Sequence, residues 1–218
     1  MDEITRLLKD HYERTFQQFG ATAGGVEWGE EHELQLRYDK MLAVLQKDFY
    51  MPDGAPSLLD VGCGWGGLTR RAREVGVQLQ YTGIDVVEAM VEHGRRAFPD
   101  SEFILGDVLS LAGERQWDFA VCNAILTQKL SVSIPEMELH AKRLVRKMFD
   151  IARHGIAFNM MSTRVNFMVG NLYYQNPSAM LAWCLEEISP RARLDHGYSS
   201  LASGRGKFYD FTLYIYKD

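Results

Sequence analysis

Two hydrophobic periods alternate along the chain from residue 57 onward. Five short apolar runs have the length of buried strands, and three intervening stretches carry apolar residues at helical spacing. The runs cover residues 57–61, 79–85, 103–105, 117–122 and 156–160, and the helical stretches cover 68–75, 87–98 and 135–153. Repeated strand–helix units force parallel pairing with right-handed crossovers. The pattern predicts a doubly wound, mostly parallel α/β sheet.

The first 53 residues have helical periodicity and no strand pattern. Ile4, Leu8 and Tyr12 recur at helical spacing, and a second apolar stripe runs through residues 30–50 until Pro52 breaks it. The helical periodicity of this N-terminal segment predicts a helical cap over the open sheet. We expect one domain over residues 1–218, with the cap at 1–53 and the α/β core at 54–218.

The last two strands read as a hairpin rather than as another strand–helix unit. Residues 191–196 and 207–216 are strand-like, and a Ser/Gly-rich loop at 199–206 separates them. A terminal hairpin at the edge of a parallel sheet is the expected arrangement.

Composition narrows the class of partner. The chain has 218 residues and a net charge of −5, and it contains no basic run, which argues against a nucleic-acid surface. No apolar run approaches the roughly 20 residues of a membrane span. The three cysteines are far apart and form no metal-binding pair. We expect a cytoplasmic protein with reduced thiols, no membrane partner and no metal.

The clearest chemical motif follows the first strand. Gly62, Gly64 and Gly66 let the backbone turn sharply there, and the next helix begins beside the turn, as in nucleotide-binding sites. Asp85 ends the second strand about 20 residues later, where a carboxylate accepts hydrogen bonds from ribose hydroxyls. NAD and S-adenosylmethionine both carry such a ribose, so the glycine pattern alone leaves both open.

Two further acidic residues favour S-adenosylmethionine. Asp60 lies two residues before Gly62 and suits a ligand whose near end carries an ammonium and a sulfonium. Asp107 follows the third strand, where it can accept a hydrogen bond from the exocyclic amine of adenine. A helix N-cap is the competing role for Asp107.

The motifs together resemble the class I S-adenosylmethionine-dependent methyltransferases. The resemblance rests on L-D-V-G-C-G-W-G at 59–66, G-I-D at 83–85, G-D-V at 106–108 and W-D-F at 117–119. It implies a seven-stranded sheet with the last strand antiparallel and methyl transfer by in-line attack on the sulfonium methyl. Residues 25–29 and 126–129 resemble a bacterial small-molecule subgroup, so the implied acceptor is a small molecule methylated on oxygen or nitrogen.

Candidate site residues follow from these positions and from the resemblance. The cofactor candidates are Trp28, Arg37, Asp60, Gly62, Cys63, Gly64, Gly66, Asp85, Val86, Asp107, Val108 and Asn123. The acceptor pocket is expected where the fourth and fifth strands end, and its candidates are Gln128, Asn159, Tyr173 and Tyr174. His140 is the candidate base.

Several of these assignments have a structural alternative. Arg37 suits the methionyl carboxylate, but an arginine on a helix face is ordinarily solvated. Trp28 is either a core residue or a lid, and Tyr173 and Tyr174 either line the pocket or pack a loop. For the whole chain, the alternatives are a nicotinamide-dependent oxidoreductase and a non-catalytic binding or interaction module. A homodimer is left open.

Overall fold

A computed structural model describes residues 1–45, 54–112, 115–197 and 209–217. The predicted end of the second helix with Pro52, and the predicted loop at 199–206, lie outside the described residues.

One twisted sheet forms the centre of the molecule. Its strands are β1 (Ser57–Val61), β2 (Gln80–Asp85), β3 (Glu102–Leu105), β4 (Trp117–Cys122), β5 (Ala152–Ser162), β6 (Tyr174–Gln175), β7 (Ala192–Asp195) and β8 (Asp210–Tyr216). The strand order is β3-β2-β1-β4-β5-β8-β7, and the short β6 pairs with β5 off this path. The strands from β1 to β5 pair in parallel, and β8 is antiparallel to β5 and β7. The predicted mostly parallel sheet is confirmed; seven strands form its main path, and the short β6 is an eighth that was not predicted.

Helices cover both faces of the sheet. They are α1 (Glu3–Phe19), α2 (Glu31–Leu42), α3 (Gly67–Glu74), α4 (Glu88–Ala97), α5 (Ile134–Ile151) and α6 (Pro177–Glu187). One core cluster packs α5 and α6 against the sheet, and a second packs α2, α3 and α4 against the opposite face. Within the described ranges, no helix is long and apolar enough to cross a membrane.

Among the larger elements, β5 and α6 differ from the sequence prediction. β5 begins at Ala152 rather than at residue 156, because its pairing with β4 already starts where Trp117 meets Ala152. The helix α6 was not predicted at all. Its start has a clear signal, since the Asn176 side chain accepts from the backbone N–H groups of Ser178 and Ala179, and Pro177 occupies the first turn.

The sheet order places a crevice at one end of the central strands. β1 has β2 on one side and β4 on the other, so the crossovers leaving β1 and β4 depart to opposite sides. In open α/β sheets, ligands bind at the carboxyl ends of the strands beside such a switch point. The glycine loop after β1 and Asp85 at the end of β2 therefore meet at one edge.

Candidate active site

A cavity opens at the carboxyl ends of β1, β2 and β4, and the N-terminal helix α1 closes one side of it. All the cofactor candidates except Arg37 and Gly66 line this first cavity. Those that do are Trp28, Asp60, Gly62, Cys63, Gly64, Asp85, Val86, Asp107, Val108 and Asn123. The fold therefore gathers residues from five separate stretches of sequence around one space.

The glycine loop forms the floor of the first cavity. Gly62 and Gly64 have φ angles of +68° and +54°, a left-handed conformation that side chains rarely adopt. A Cβ atom on Gly62 would lie 2.2 Å from the Ile125 Cδ1 atom, so no larger residue fits without a shift. Gly62 and Cys63 both donate their N–H groups to the Ile84 carbonyl, which fixes the loop against β2.

Asp85 connects the glycine loop to the end of β2. One carboxylate oxygen accepts from the Gly64 N–H at 2.8 Å, and the other accepts from the Val87 N–H at 2.9 Å. Burial raises the pKa of Asp85, and these backbone donors oppose the rise. Each oxygen retains a second lone pair, so the carboxylate can still accept hydrogen bonds from a ligand in the cavity.

Asp60 is buried beside the loop with a single side-chain partner. Its carboxylate accepts from the Tyr81 hydroxyl at 2.7 Å. Burial raises the pKa of Asp60 to about 7, and the Asp85 charge adds to the rise while the Tyr81 hydrogen bond opposes it. A cationic group placed beside Asp60 would favour its ionised form.

Asp107 and Asn123 complete the polar lining. Asp107 accepts from the Leu109 N–H at 2.9 Å and caps a short 3₁₀ turn, so the capping role is present in the structure. The Asn123 side-chain oxygen is buried and has no hydrogen-bond partner among the described residues. A buried acceptor without a donor is costly, and a ligand carrying N–H or O–H groups would satisfy it.

The helix α1 supplies part of the wall that sequence reasoning did not assign. Thr5, Leu8 and Tyr12 all line the first cavity. Their spacing of three and then four residues places them on one helical face, which is the signal that would have identified them. Burial, Glu27 and Asp85 raise the pKa of the Tyr12 phenol.

A second cavity adjoins the first. Tyr12, Val26 and Trp28 line both, so these three residues form a shared wall. The remaining residues of the second cavity are Glu27, Glu33, Arg37, Thr127, Gln128, Met161, Val169, Asn171, Leu172, Tyr209 and Asp210. This space lies where β5 ends and against the N-terminal segment, and the acceptor pocket stays a prediction for it.

Arg37 lies in the second cavity, not the first. Its guanidinium contacts Asp210 with Nε at 2.7 Å and Nη2 at 2.5 Å, and it stacks over the Trp28 ring at 3.7 Å from the centroid. A third contact runs from Nη1 to the Glu33 carbonyl at 3.1 Å. These contacts join α2 to the start of β8 and hold Trp28 between the two cavities.

The structure places the acceptor candidates in different surroundings. Gln128 lines the second cavity, where it donates to Glu27 at 2.9 Å. Asn159 is fully buried beneath the loop after β4, and its oxygen accepts from the Ala124 N–H at 2.7 Å. Tyr173 is a core residue, and the Tyr174 hydroxyl accepts from the Val169 N–H. Neither tyrosine lines either cavity, because the chain turns them toward the core and a neighbouring loop.

Gly66 and His140 have structural neighbours that explain their positions. Gly66 is the N-cap of α3, behind the cavity, and packs against Phe98 and Phe103. His140 lines the first cavity from α5, with its Nδ1 atom 3.4 Å from the Asp2 carboxylate. Burial lowers the pKa of His140, and Asp2 opposes this. Within the described residues, no group of three or more His, Cys, Asp and Glu side chains could hold a metal ion.

Comparison with known proteins defines the class. The profile of a methyltransferase-domain family matches residues 58–155, which span the strands β1 to β4 and the start of β5. The comparisons together support a class I S-adenosylmethionine-dependent methyltransferase that uses S-adenosylmethionine as its methyl donor. The nicotinamide-dependent alternative is thereby set aside.

Individual relatives agree with this class. A Mycobacterium tuberculosis protein named as a methyltransferase is 27% identical over 166 residues, covering 74% of this chain and 93% of the relative. The trans-aconitate 2-methyltransferase of Escherichia coli O1:K1 / APEC is 35% identical over 69 residues, which are 32% of this chain and 27% of that protein. The magnesium protoporphyrin IX methyltransferase of Synechocystis PCC 6803, solved with bound S-adenosylmethionine, has a TM-score of 0.68. It is 16% identical over 100% of this chain and 99% of its own, which shows a shared fold.

The affinity for S-adenosylhomocysteine is expected to rise as the pH increases from acid values toward 7. Below its pKa of about 7, Asp60 is mostly a neutral acid that gains little from the ammonium of the ligand. The affinity should increase by up to about tenfold for each pH unit, because one pKa unit corresponds to a tenfold change in the proton equilibrium. Calorimetric titrations across this pH range measure it.

Asp60→Asn is the control, because its side chain stays neutral and its affinity should not change over the same pH range. The free energy of unfolding of the unliganded wild-type protein should decrease over the same rise in pH. The folded-state pKa of Asp60 lies above its unfolded value, so its contribution to stability is lost as the pH rises through 7. A wild-type affinity that does not change with pH in this range would show that Asp60 does not face the ligand's cation.

Proposed function

We propose that this methyltransferase methylates an oxygen or nitrogen atom of a small molecule held in the second cavity. The observation that carries the proposal is the shared wall of Tyr12, Val26 and Trp28. A donor in the first cavity and an acceptor in the second would come into direct contact beside these three residues, where the two cavities adjoin. Alignment of the two reactants accounts for much of the rate enhancement in such a transfer.

In this proposal the first cavity holds the donor by its three polar parts. Asp85 accepts from the ribose hydroxyls, Asp107 accepts from the adenine amine, and Asp60 faces the ammonium group. The glycine loop lies close to the ligand because Gly62 and Gly64 have no side chains. When bound, S-adenosylmethionine supplies an electrophilic methyl group, so the protein mainly has to orient the acceptor and exclude water.

The unpartnered oxygen of Asn123 supports the same placement. It is buried, it lines the first cavity, and it lacks a donor among the described residues. The methionyl ammonium carries three N–H donors, so it can serve Asp60 and Asn123 together. The residues present therefore fit this donor.

Arg37 receives a different role from the one that the sequence suggested. The guanidinium group of Arg37 already binds the Asp210 carboxylate, and its flat side stacks on the Trp28 ring. We assign it to holding the shared wall rather than to binding the methionyl carboxylate. His140 does not line the second cavity, so we assign it to positioning α1 through Asp2 rather than to accepting a proton from the acceptor.

Three further features support a small-molecule enzyme of the cytoplasm. The net charge of −5 is unfavourable for binding nucleic acid phosphates. The described part of the second cavity is a pocket lined from several elements and is suited to a compact ligand. Cys63, Cys122 and Cys184 are buried and unbridged, which suits a reducing compartment. Homodimer formation stays a prediction.

Filling the second cavity tests the proposal. Met161→Trp adds bulk to that cavity, and Met161 does not line the first cavity. The variant should bind S-adenosylhomocysteine like the wild type, yet lose at least about tenfold in methyl transfer because the acceptor is displaced from its aligned position. The assay follows methyl-labelled donor into the small-molecule fraction of a cell extract.

Met168→Trp is the matched control. Met168 is 60% exposed and lines neither cavity, so the same substitution there should leave methyl transfer intact. Label that appears in the nucleic-acid or protein fraction would contradict a small-molecule acceptor. Undiminished transfer by Met161→Trp would contradict the second cavity as the acceptor site.

A further inference from the structure

We propose that Glu27 binds the nucleophile of the acceptor and takes its proton, so that the acceptor is an alcohol, a phenol or an amine rather than a carboxylate. The proposal rests on the assignment of the second cavity as the acceptor site. It names a residue of the N-terminal segment that neither the sequence motifs nor the core fold assigns.

Two hydrogen bonds hold the Glu27 carboxylate in a defined orientation and leave part of it able to accept further hydrogen bonds. Its Oε2 atom accepts from His11 Nε2 at 2.7 Å and from Gln128 Nε2 at 2.9 Å. Gln128 is itself fixed, because its oxygen accepts from the Asn171 side chain at 3.2 Å. Both of these hydrogen bonds use Oε2, and among the described residues none uses Oε1, so Oε1 keeps its two lone pairs for a ligand.

The backbone brings Glu27 to the boundary between donor and acceptor. Its chain neighbours Val26 and Trp28 each line both cavities. Glu27 has a φ angle of +61°, and non-glycine residues in this conformation are uncommon and concentrate at functional sites. Tyr12 also lines both cavities, and the pKa of its phenol is raised by burial and by the charges of both Glu27 and Asp85. Glu27 therefore lies on the acceptor side of the shared wall and Asp85 on the donor side.

The charges of the second cavity select against an anionic acceptor. Three carboxylates line the described part of this cavity, those of Glu27, Glu33 and Asp210. Asp210 is compensated by Arg37, and within the described residues no hydrogen bond or ion pair is found for the Glu33 carboxylate. A carboxylate acceptor would meet unfavourable like charges here, whereas an ammonium or a hydroxyl would meet hydrogen-bond acceptors.

The proton balance assigns a role to each partner. As the lone pair of the nucleophile forms the new bond to carbon, its O–H or N–H bond breaks and the proton passes to Glu27. The sulfur keeps the electron pair of the broken carbon–sulfur bond and becomes a neutral thioether. His11 is partly exposed and bonded to Glu27, so it provides a route for the proton to solvent.

Ligand binding to the S-adenosylhomocysteine-saturated protein provides a test that does not depend on turnover. Saturation-transfer NMR would compare ethanolamine, tyramine and glycerol with the carboxylates trans-aconitate and citrate. We expect at least one amine or hydroxyl probe to bind and the carboxylates to bind more weakly. Glu27→Gln should lower the affinity for that probe by about tenfold or more, as expected for the loss of a hydrogen bond to a charged group. The affinity for S-adenosylhomocysteine should not change.

Glu30→Gln is the matched control. Glu30 also pairs with a histidine, His32, but it is exposed and lines neither cavity, so this variant should behave like the wild type. Tighter binding of the carboxylates, equal binding to Glu27→Gln, or no binding of any amine or hydroxyl probe would overturn the proposal.

Filling the second cavity separates the two levels of the argument. If Met161→Trp abolishes probe binding while Glu27→Gln leaves it intact, the role of Glu27 fails and the acceptor site stands. If probes bind equally well to Met161→Trp, the acceptor site itself fails. Methyl transfer to the tightest probe, measured with labelled donor, should follow the same order of variants.

Discussion

Asp85→Ala is expected to lower the affinity for S-adenosylhomocysteine by at least about 100-fold. In the proposed placement its carboxylate accepts two ribose hydroxyl bonds, and each bond to a charged acceptor contributes about 1.5–3 kcal/mol. The substitution also removes the acceptor for the Gly64 and Val87 N–H groups, which loosens the glycine loop. Calorimetry on the purified variant measures the loss directly.

Asp100→Ala is the control for Asp85→Ala, because Asp100 is exposed in the turn after α4 and lines neither cavity. It should bind the ligand like the wild type. A loss smaller than roughly threefold for Asp85→Ala would correspond to less than 1 kcal/mol and would remove Asp85 from the ribose. Thermal melts of the unliganded variants separate this effect from a loss of folding.

The second large effect is expected for Arg37→Met. The substitution leaves Asp210 buried without its cation, and breaking a buried ion pair from one side destabilises a protein by about 3–5 kcal/mol. For a domain of this size the melting temperature should fall by about 10 °C. The lost stacking over Trp28 should also weaken binding in both cavities.

The pH dependence identifies the mechanism of this destabilisation. Burial raises the pKa of Asp210 and Arg37 opposes the rise, so removing Arg37 raises that pKa further. A carboxyl group with a raised folded-state pKa stabilises the protein at low pH, and this contribution is lost as the pH rises. The stability deficit of Arg37→Met should therefore shrink as the pH falls. Arg6→Met on the exposed side of α1 is the control, and an equal deficit at every pH would contradict this explanation.

Local signals were sufficient to predict the sheet and the glycine loop. The strand before Gly62 is a short apolar run, the loop needs left-handed backbone at Gly62 and Gly64, and Asp85 ends the next strand. These features depend on neighbouring residues in the chain. Because parallel strands all end at one edge, the first cavity followed from the order of the elements.

Contacts between distant residues could not be predicted in the same way. Arg37 and Asp210 are 173 residues apart, and nothing in the sequence near Arg37 indicates a buried carboxylate partner. Asn159 resembled a pocket residue because it lies in β5, but its amide supports Ala124 from below. Alternation within a strand tells which residues share a face, and it does not tell which loop covers that face.

In the N-terminal segment, too, the sequence predicted the helix but not its contacts with distant residues. The apolar face of α1 was visible, and its closure over the first cavity brings Thr5, Leu8 and Tyr12 to the site. Glu27 had no predicted role of its own within residues 25–29, because a single glutamate carries no periodic signal. Its bonds to His11 and Gln128 exist only after α1 and the loop after β4 have packed together.

Titration calorimetry of the full chain with S-adenosylhomocysteine and with NADH tests the central claim most directly. The four acidic and amide groups of the first cavity, Asp60, Asp85, Asp107 and Asn123, suit an adenosyl group with a cationic tail. We therefore expect S-adenosylhomocysteine to bind one site per chain, with Asp85→Ala abolishing most of the heat, and NADH to give none. Tighter binding of NADH than of S-adenosylhomocysteine would contradict the account.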